Sequence, residues 1–436
     1  MTKTVIIGAG AMGLAAAHHA LKLGHEVDLV EADRQAGGMA AHFDFDGLSI
    51  ERFYHFVCKP DAPTFALMQE LGIGHLMRWR PTSMAYFAKG RLHRWGDPIS
   101  LLASPLLNPI EKLRYGLQAF AASRRRGFDD LENVSARDWI ERGAGRGVYA
   151  KVWRPLMDLK FYQYADDISA AWIATRIRRV GASRRSIFQE ELGYIEGGSQ
   201  TLVDALAASI ERQGGRIHLG TPVERIESAA GRVLGVSAGG RRFDAEAVVC
   251  TVPTPYVARL APDLPTRDAY DAIRNIGVVC VLHKLRRSVS PHFWVNIVEP
   301  GIEIPGIIEF SNLRPTSDTV VYVPYYMPLD QPKWGWSDQQ FIDQSFNYLQ
   351  RINPALTRAD LLASKVGRLR HAQPVCEPGF AAKLPPIRTA IAGLQIADTC
   401  FYYPEDRGIS ESVRLGREMA LAIGTDHQPR RAPVYA

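Results

Sequence analysis

The pattern of apolar and polar positions is clearest at the start of the chain. Residues 3–7 form a short β-branched run, which predicts a strand. Leu14 and Leu21 then fall at helical spacing, and Gly24 stands where a helix commonly ends. Residues 26–30 form a second short apolar run. The order of strand, glycine-rich turn, helix and strand predicts a βαβ unit.

Other apolar runs predict a different kind of sheet. Residues 83–95 alternate as a hairpin with its turn at Lys89-Gly90. Further strands are predicted at residues 278–282, 293–298, 306–310 and 320–326, followed by an exposed helix at residues 339–352. Closely spaced strands of this kind favour a large mixed or antiparallel sheet.

The turn of the first unit carries the pattern G-x-G-x-x-G, in Gly8-Ala9-Gly10-Ala11-Met12-Gly13. In this context Gly8 permits a tight turn, Gly10 lets the backbone approach a pyrophosphate, and Gly13 lets helix and strand pack closely. The helix N-terminus offers free N–H groups and a positive dipole end to phosphates. Glu31 stands near the place of the acid that binds ribose hydroxyls, and its charge would repel the 2′-phosphate of NADP. The motif therefore predicts binding of NAD or FAD.

The residues that follow this acid favour FAD. The segment Glu31-Ala32-Asp33-Arg34-Gln35-Ala36-Gly37-Gly38-Met39 resembles the extended dinucleotide motif of the flavin amine oxidase, phytoene desaturase and protoporphyrinogen oxidase superfamily. In that motif the glycine pair lets a loop pass close to the cofactor. The resemblance implies FAD contacts from Gly8, Gly10, Ala11, Met12, Gly13, Glu31, Ala32, Arg34, Gly37, Gly38 and Met39.

Two later segments resemble the same superfamily, in the same order along the chain. Residues 221–226 resemble the segment whose backbone meets the adenine, with Val223 at the contacting position. Thr251 follows a buried strand at the place where the superfamily chain passes over the flavin. These positions extend the implied FAD site into the middle of the chain.

The third segment lies near the C-terminus. Asp398 follows a short strand, where the superfamily has an acid that binds the ribityl chain. Gly408, Ile409 and Ser410 then begin a helix whose N-terminus, by the resemblance, points at the flavin N1–C2 edge. A helix N-terminus stabilises the negative charge of a reduced flavin at that edge.

The chain is identified by these segments as a member of the superfamily, and the implied fold is α/β. A Rossmann-like FAD-binding domain is interleaved with a substrate-binding domain of mixed or antiparallel sheet plus helices. We expect the FAD-binding domain at residues 1–75, 191–262 and 366–428, the substrate-binding domain at residues 76–190 and 263–365, and a disordered tail at residues 429–436.

Candidate residues for catalysis and substrate contact are indicated by their places in the chain, since no separate catalytic motif is present in the sequence. His55, Glu405 and Arg407 are candidates for catalysis, and Tyr322, Tyr325 and Tyr403 are candidates for contact with a substrate. Each has a structural alternative, as a packed histidine, a loop-shaping charge or a core tyrosine.

The chain differs from amine oxidases at one position. Those enzymes carry a lysine that holds a water at flavin N5. The corresponding strand places Cys280 or Val281 there, with Lys284 out of register. This departure from the amine oxidases weakens the expectation of an amine substrate.

Composition narrows the class of protein. A chain of 436 residues with 46% hydrophobic residues can bury a large core in two or three domains. No apolar run approaches the roughly 18 residues that span a bilayer, and the first strand leaves no room for a signal peptide, so we expect a cytoplasmic protein. The five cysteines are scattered without a C-x-x-C pair, which favours buried free thiols and no metal site.

The net charge of +6 is concentrated in two basic runs. One is Arg124-Arg125-Arg126, and the other comprises Arg176, Arg178, Arg179, Arg184 and Arg185. Either run could be a solvated basic face or could meet an anionic lipid or substrate. No nucleic-acid-binding module is recognisable, so no such partner is expected.

The first basic run follows an apolar helical stripe of Ile110, Leu113, Leu117 and Phe120. An apolar face beside basic residues is typical of a helix that lies on a membrane, and equally of a capping helix packed on a core. Peripheral contact with the inner face of the membrane is thus one of two interpretations.

The resemblance implies a FAD-dependent oxidoreductase, an oxidase, dehydrogenase or desaturase. It would transfer hydride from a small, hydrophobic organic substrate to flavin N5, and oxygen, a quinone or a protein would accept the electrons. Two alternatives stay open: a flavin isomerase or sugar mutase without net redox change, and a non-enzymatic escort-type binding protein on the same fold.

Overall fold

The protein, represented by a computed structural model, is described here for residues 1–425 and 427–429. The strands are β1 (Lys3–Ile7), β2 (Glu26–Val30), β3 (His42–Phe45), β4 (Leu48–Glu51), β5 (Met77–Thr82), β6 (Met84–Ala88), β7 (Arg91–Trp95), β8 (Arg184–Ser186), β9 (Gln189–Ile195), β10 (Arg216–His218), β11 (Val223–Ala229), β12 (Arg232–Ala238), β13 (Arg241–Asp244), β14 (Ala247–Cys250), β15 (Asn275–Leu285), β16 (Trp294–Ile297), β17 (Gly306–Glu309), β18 (Thr319–Met327), β19 (Leu361–Pro374) and β20 (Leu394–Ile396).

The helices are α1 (Ala11–Lys22), α2 (Ala62–Glu70), α3 (Pro98–Ala103), α4 (Pro109–Ser123), α5 (Ala136–Gly143), α6 (Arg146–Val148), α7 (Arg154–Phe161), α8 (Ala170–Ala182), α9 (Ser199–Arg212), α10 (Val257–Leu260), α11 (Arg267–Asp271), α12 (Asp338–Ile352), α13 (Phe380–Lys383) and α14 (Ile409–Leu421). Local sequence fixes several of their starts. Asn108 and Glu111 cap α4 reciprocally before Pro109, and the Ser169 hydroxyl accepts a hydrogen bond at the start of α8.

The predicted βαβ unit lies at the centre of a five-stranded parallel sheet with the order β10-β2-β1-β14-β20. Its strands come from three distant parts of the sequence, as the interleaved architecture requires. Helix α1 packs against α14 so closely that a Cβ at Gly416 would lie 2.4 Å from the Met12 carbonyl oxygen. The N-termini of α1 and α14 are therefore held near each other at the same edge of the sheet.

The second large sheet has seven strands in the order β19-β15-β18-β17-β16-β6-β7. All neighbouring pairs are antiparallel except β16 and β6, which are parallel. The predicted α/β fold with a mixed second sheet is thus confirmed. Strand β19 was not predicted and crosses the boundary expected at residue 366, since it belongs wholly to this sheet. The division into domains stays a prediction, and its tail at residues 429–436 lies, apart from residue 429, outside the described residues.

Helix α12 differs from the exposed helix that the pattern predicts. It buries Phe341, Phe346 and Leu349 against the seven-stranded sheet, which needs a covering layer on that face. All five cysteines are free and buried. Within residues 1–425 and 427–429, none of the helices has the length and the apolar content needed to cross a bilayer.

Candidate active site

A cavity of about 1530 Å³ extends from the glycine turn after β1 to the face of the seven-stranded sheet. Small-molecule sites commonly enclose about 300–1,000 Å³, so this space has room for a dinucleotide together with a second ligand. Its walls come from both large sheets and from α4, α7 and α8, as well as from the start of α14.

The glycine turn forms one end of this cavity. Gly8 has φ +100°, in the left-handed region that favours glycine. A Cβ at Gly13 would lie 1.8 Å from the Gly8 carbonyl oxygen, so the helix sits directly on the turn. A Cβ at Gly10, in contrast, would meet no atom of the described residues within 4 Å. Gly10 thus faces open cavity, which is the space that a pyrophosphate needs.

Glu31 lies in the cavity wall and is held by backbone donors on both sides. The Ala9 N–H donates to its Oε2 at 2.6 Å, and the Asp33 N–H donates to its Oε1 at 2.8 Å. Ala32, Gly37, Gly38 and Met39 also line the cavity, whereas Arg34 is exposed and outside the wall. The structure therefore brings together all the predicted residues of this segment except Arg34.

The predicted residues from later segments reach the same cavity. Val223, Thr251, Asp398, Gly408 and Ile409 line it. The Asp398 carboxylate accepts hydrogen bonds from the N–H groups of Thr254 and Cys400, and burial raises its pKa. Ser410 is buried beneath the start of α14, and its hydroxyl has no partner among the described residues.

Aromatic side chains enclose the opposite end of the cavity. Tyr54 and Tyr326 face each other with their hydroxyl oxygens 3.5 Å apart, and Trp294 packs edge-on against Tyr54 with ring centres 5.4 Å apart. Trp172 and Phe161 close a further side, with ring centres 5.6 Å apart. This end offers a largely apolar, water-poor site for a flat or branched organic molecule.

Cations cluster among these rings. The Lys160 Nζ lies 4.9 Å from the centre of the Tyr326 ring and 5.0 Å from that of Trp172. The Arg407 Nη2 donates to the Tyr326 hydroxyl at 2.9 Å, and the Arg176 guanidinium lies 4.7 Å from the Trp172 ring centre. Within the described part of the chain, the Lys160 ammonium has no hydrogen-bond acceptor. It is therefore free to bind a ligand atom in the cavity.

The charges of this cluster affect one another. Burial, and then the nearby charge of Arg176, lowers the pKa of Lys160 well below its ordinary value. Burial alone would raise the pKa of Asp406, but Arg176, Lys160 and Arg407 outweigh it and lower that pKa. Arg176 is hydrogen-bonded to Asp406, which leaves the cluster with an excess of positive charge.

The three catalytic candidates occupy different places. His55 lines the cavity, its Nδ1 has no partner within residues 1–425 and 427–429, and burial lowers its pKa to about 4. Arg407 also lines the cavity, where it donates to Tyr326 and to the Ala372 carbonyl. Glu405 does not line the cavity, since its carboxylate is buried against Arg178 at 3.0 Å. Geometry therefore gives Glu405 a structural role.

The tyrosine candidates do not line the cavity. The Tyr322 hydroxyl is buried and donates to the Glu51 carbonyl at 2.7 Å, and the Tyr403 hydroxyl donates to Glu132 at 2.8 Å. Tyr325 points to the other face of β18, where its ring packs against Phe341 of α12. Because successive side chains of a strand alternate between faces, Tyr326 takes the cavity position instead.

The arginines of the second basic run do not form one solvated surface. Arg176, Arg178 and Arg179 turn inward to Asp406, Glu405 and Asp61. The Arg179–Asp61 pair is bidentate, with N–O distances of 3.0 and 2.7 Å. These pairs join α8 to the segment before α14 and to Asp61, and of the five arginines of the run only Arg185 is exposed.

Of the two residues expected at the position of the amine-oxidase lysine, Cys280 lines the cavity and Val281 does not. Val278 of the same strand also lines it. Lys284 lies outside it, bonded to Asp46 at 2.9 Å and within 3.4 Å of Asp318. The lysine that does reach the cavity is Lys160, on α7, and nothing in its local sequence indicates this role.

One group of possible metal ligands occurs within the described residues. Donor atoms of His18, His19 and Glu70 lie within 4.8 Å of one another. The Lys22 ammonium and His18 already bond the same Glu70 oxygen, and Ser209 bonds His18 at 3.0 Å. The donor atoms of His18 and Glu70 are thus already bonded to protein groups, and we propose no metal site there.

Comparison with known proteins identifies the class that this fold and cavity define. The family model of flavin-containing amine oxidoreductases matches residues 13–373. The chain therefore belongs to this family, which confirms the predicted superfamily and its FAD cofactor. The residues around the cavity fit that cofactor, because Gly10 leaves room for a pyrophosphate and Glu31 is fixed beside it.

The similarity to individual relatives is distant. A Mycobacterium tuberculosis protein named "Putative flavin-containing monoamine oxidase" is 23% identical over 302 residues, which is 66% of this chain and 65% of that protein. A zeta-carotene-forming phytoene desaturase from Myxococcus xanthus is 25% identical over 77% of this chain and 74% of its own length. A solved structure of reduced UDP-galactopyranose mutase superimposes with a TM-score of 0.74 at 16% identity, covering 96% of this chain and 95% of its own.

Proposed function

We propose that this protein is a FAD-dependent oxidoreductase that oxidises an apolar organic substrate with a neutral or anionic polar group. The observation that carries the proposal is the excess of two guanidinium groups, Arg176 and Arg407, over the Asp406 carboxylate, beside the unpartnered Lys160 amino group in an aromatic cavity. A cationic amine in the same space would meet like charges at low dielectric, which costs several kcal/mol. A carboxylate or hydroxyl would instead gain a bond to the Lys160 amino group.

FAD supplies the hydride acceptor for such an oxidation. Under this proposal the Gly8–Gly13 turn and the N-terminus of α1 hold the pyrophosphate, and Glu31 holds the ribose. Asp398 and the start of α14 hold the other end of the cofactor. Tyr54 and Tyr326 orient the substrate and keep water away from it. His55 stays neutral at physiological pH, because its pKa is about 4, and can accept a proton through Nδ1.

Three ten-carbon ligands with different head groups test whether the cavity prefers a neutral or anionic group over a cationic amine. Decanoate, decanol and decylamine would be titrated into the purified flavoprotein, with perturbation of the flavin absorbance as the readout. We expect decanoate and decanol to bind and decylamine to bind at least tenfold more weakly. Lys160→Met should weaken decanoate roughly tenfold or more, since a hydrogen bond to a charged group contributes about 1.5–3 kcal/mol.

Lys89→Met is the control, because Lys89 lies in the exposed turn of the β6–β7 hairpin. It should leave all three affinities unchanged. Decylamine binding as tightly as decanoate, or an unchanged decanoate affinity in Lys160→Met, would contradict the proposed substrate class.

A non-redox flavin mutase is the second candidate. The structural likeness to UDP-galactopyranose mutase shows the fold alone, but a cationic cluster could also bind the diphosphate of a sugar nucleotide. The apolar walls around the cluster favour the oxidoreductase. Turnover that requires pre-reduced flavin and leaves it reduced would instead support the mutase.

A further inference from the structure

We propose that the surface formed by α3, α4 and the tip of the β8–β9 hairpin binds an anionic phospholipid membrane. We call this surface the α4 face. Its apolar members share large exposed fractions, between 48% and 72%: Ile99, Leu102, Ile110, Leu113, Leu117, Phe120, Ile187 and Phe188. Exposed aliphatic side chains gathered on one surface are uncommon unless the surface has a partner.

Helix α4 is fixed to the protein by its opposite side. The Trp95 Nε1 donates to the Tyr115 hydroxyl at 3.1 Å, and the Gln118 Nε2 donates to the Trp139 carbonyl at 3.0 Å. The apolar stripe of α4 recurs every three or four residues and points away from these contacts. It is therefore not the inner face of a helix packed on a core, which was the second interpretation of the sequence.

The three elements form one continuous surface. The Lys112 ammonium donates to the Leu102 carbonyl at 2.6 Å, which joins α4 to α3. At its other end α4 meets α8, since a Cβ at Gly181 would lie 2.8 Å from the Ser123 Cβ. Strand β8 follows α8 directly and leads to Ile187 and Phe188, at the tip of the β8–β9 hairpin.

Arginines border this surface, and their positive charge indicates which partner covers it. Arg124, Arg126 and Arg185 are exposed and belong to none of the ion pairs among the described residues, while Arg125 is paired with Asp130. The Arg124 guanidinium lies 4.6 Å from the Phe120 ring centre, directly beside the apolar stripe. Anionic lipid complements this charge, with each arginine near the surface adding to binding. A second copy of the chain docked face to face would instead bring the arginines together.

The cavity described above opens within the same surface. Its walls include Phe120 and Ser123 of α4, Arg124 directly after that helix, and Ile187 of the hairpin. An apolar molecule dissolved in lipid would therefore reach the cavity from the bilayer without crossing water.

Vesicle sedimentation of the flavoprotein tests the proposal. Vesicles of phosphatidylcholine alone and of phosphatidylcholine with phosphatidylglycerol would be compared. We expect binding to the anionic vesicles that weakens with added salt. The double variant Leu113→Asp/Leu117→Asp should reduce it roughly tenfold or more, because two exposed aliphatic side chains that would enter the bilayer are lost. The triple variant Arg124→Gln/Arg126→Gln/Arg185→Gln should lose the preference for anionic vesicles.

Leu234→Asp is the matched control, since Leu234 is an exposed leucine on β12, outside the α4 face. It should bind vesicles as the wild type does. Because the substituted side chains are all exposed, each variant should keep its fold and its flavin content, measured by circular dichroism and absorbance. Two results would overturn the proposal: no binding of the wild type to anionic vesicles, or a concentration-dependent dimer that Leu113→Asp/Leu117→Asp dissociates.

Discussion

At the scale of single residues, Gly10 gives the sharpest test of the cofactor site. Gly10→Val would place a branched side chain in the open space before the N-terminus of α1. The variant should fold, because a Cβ at this position meets no atom of the described residues within 4 Å, and yet it should retain less than about a tenth of the wild-type flavin. The measurement is the ratio of flavin to protein absorbance after purification.

Gly127→Val is the control for this prediction. Gly127 also has open space where a Cβ would stand, and it lies outside the cavity. This variant should keep its flavin and unfold at the wild-type temperature, and Gly10→Val should unfold at the temperature of wild-type protein stripped of its flavin. A Gly10→Val protein with full flavin content would show that the turn does not hold the pyrophosphate.

The contrast between Gly10 and Lys160 shows what the sequence could reveal about the site. The glycine turn is predictable because its strand, turn, helix and acid all lie within about thirty residues, at spacings set by backbone geometry. Lys160, Arg176, Tyr326 and Arg407 meet only through tertiary packing, and none has a local pattern. Tyr325 and Tyr326 are neighbours on β18, and the sequence alone does not reveal which face of the strand meets the cavity.

At the scale of elements, Glu70 ties α2 to α1. Its Oε1 is bonded by the Lys22 ammonium and by His18 of α1, the latter at 2.8 Å. Burial alone would raise the pKa of Glu70, but Lys22 and His18 outweigh it and lower the pKa to about 2. The ionised carboxylate therefore stabilises the folded state above the ordinary pKa near 4.5, and this stability is lost as pH falls from there to about 2.

Glu70→Gln should lower the free energy of unfolding by about 1–2 kcal/mol at pH 7, after allowance for solvent screening. The difference from wild type should shrink at pH 3, because the carboxylate of the unfolded chain is by then largely protonated whereas the native carboxylate is still mostly ionised. Urea denaturation at the two pH values measures it, with the exposed Glu211→Gln of α9 as a control that should change little. A difference that is equal at both pH values would contradict the ionic role of Glu70.

Two elements, β19 and α8, could not be predicted from the sequence although the fold class could. Strand β19 carries Lys365, Arg368 and Arg370 at the edge of its sheet, so its apolar content is too low to indicate a strand. Helix α8 has an apolar start and a basic end. Its arginines are indistinguishable in the sequence from a solvated basic surface, because the acids that pair with them lie far away along the chain. Strands such as β1 and β15, buried on both sides, were predicted from their continuous apolar runs.

At the scale of the whole molecule, one cavity joins the features described above. The parallel sheet presents the glycine turn and the start of α14 at one end, and the seven-stranded sheet presents Tyr326 at the other. Helix α8 is joined by its ion pairs to the segment before α14 and to Asp61, and α4 borders the opening. This arrangement gives room for a dinucleotide together with the proposed apolar substrate, and places the opening among exposed apolar side chains.

One measurement tests directly the central claim that the protein oxidises an apolar molecule without a cationic group in this cavity. The visible spectrum of the purified protein would be recorded before and after anaerobic addition of a cellular lipid extract, separated into neutral, acidic and basic fractions. We predict bands of oxidised flavin that bleach with the neutral or the acidic fraction. Bleaching confined to the basic, amine-containing fraction, or flavin bands that no fraction bleaches, would contradict the account.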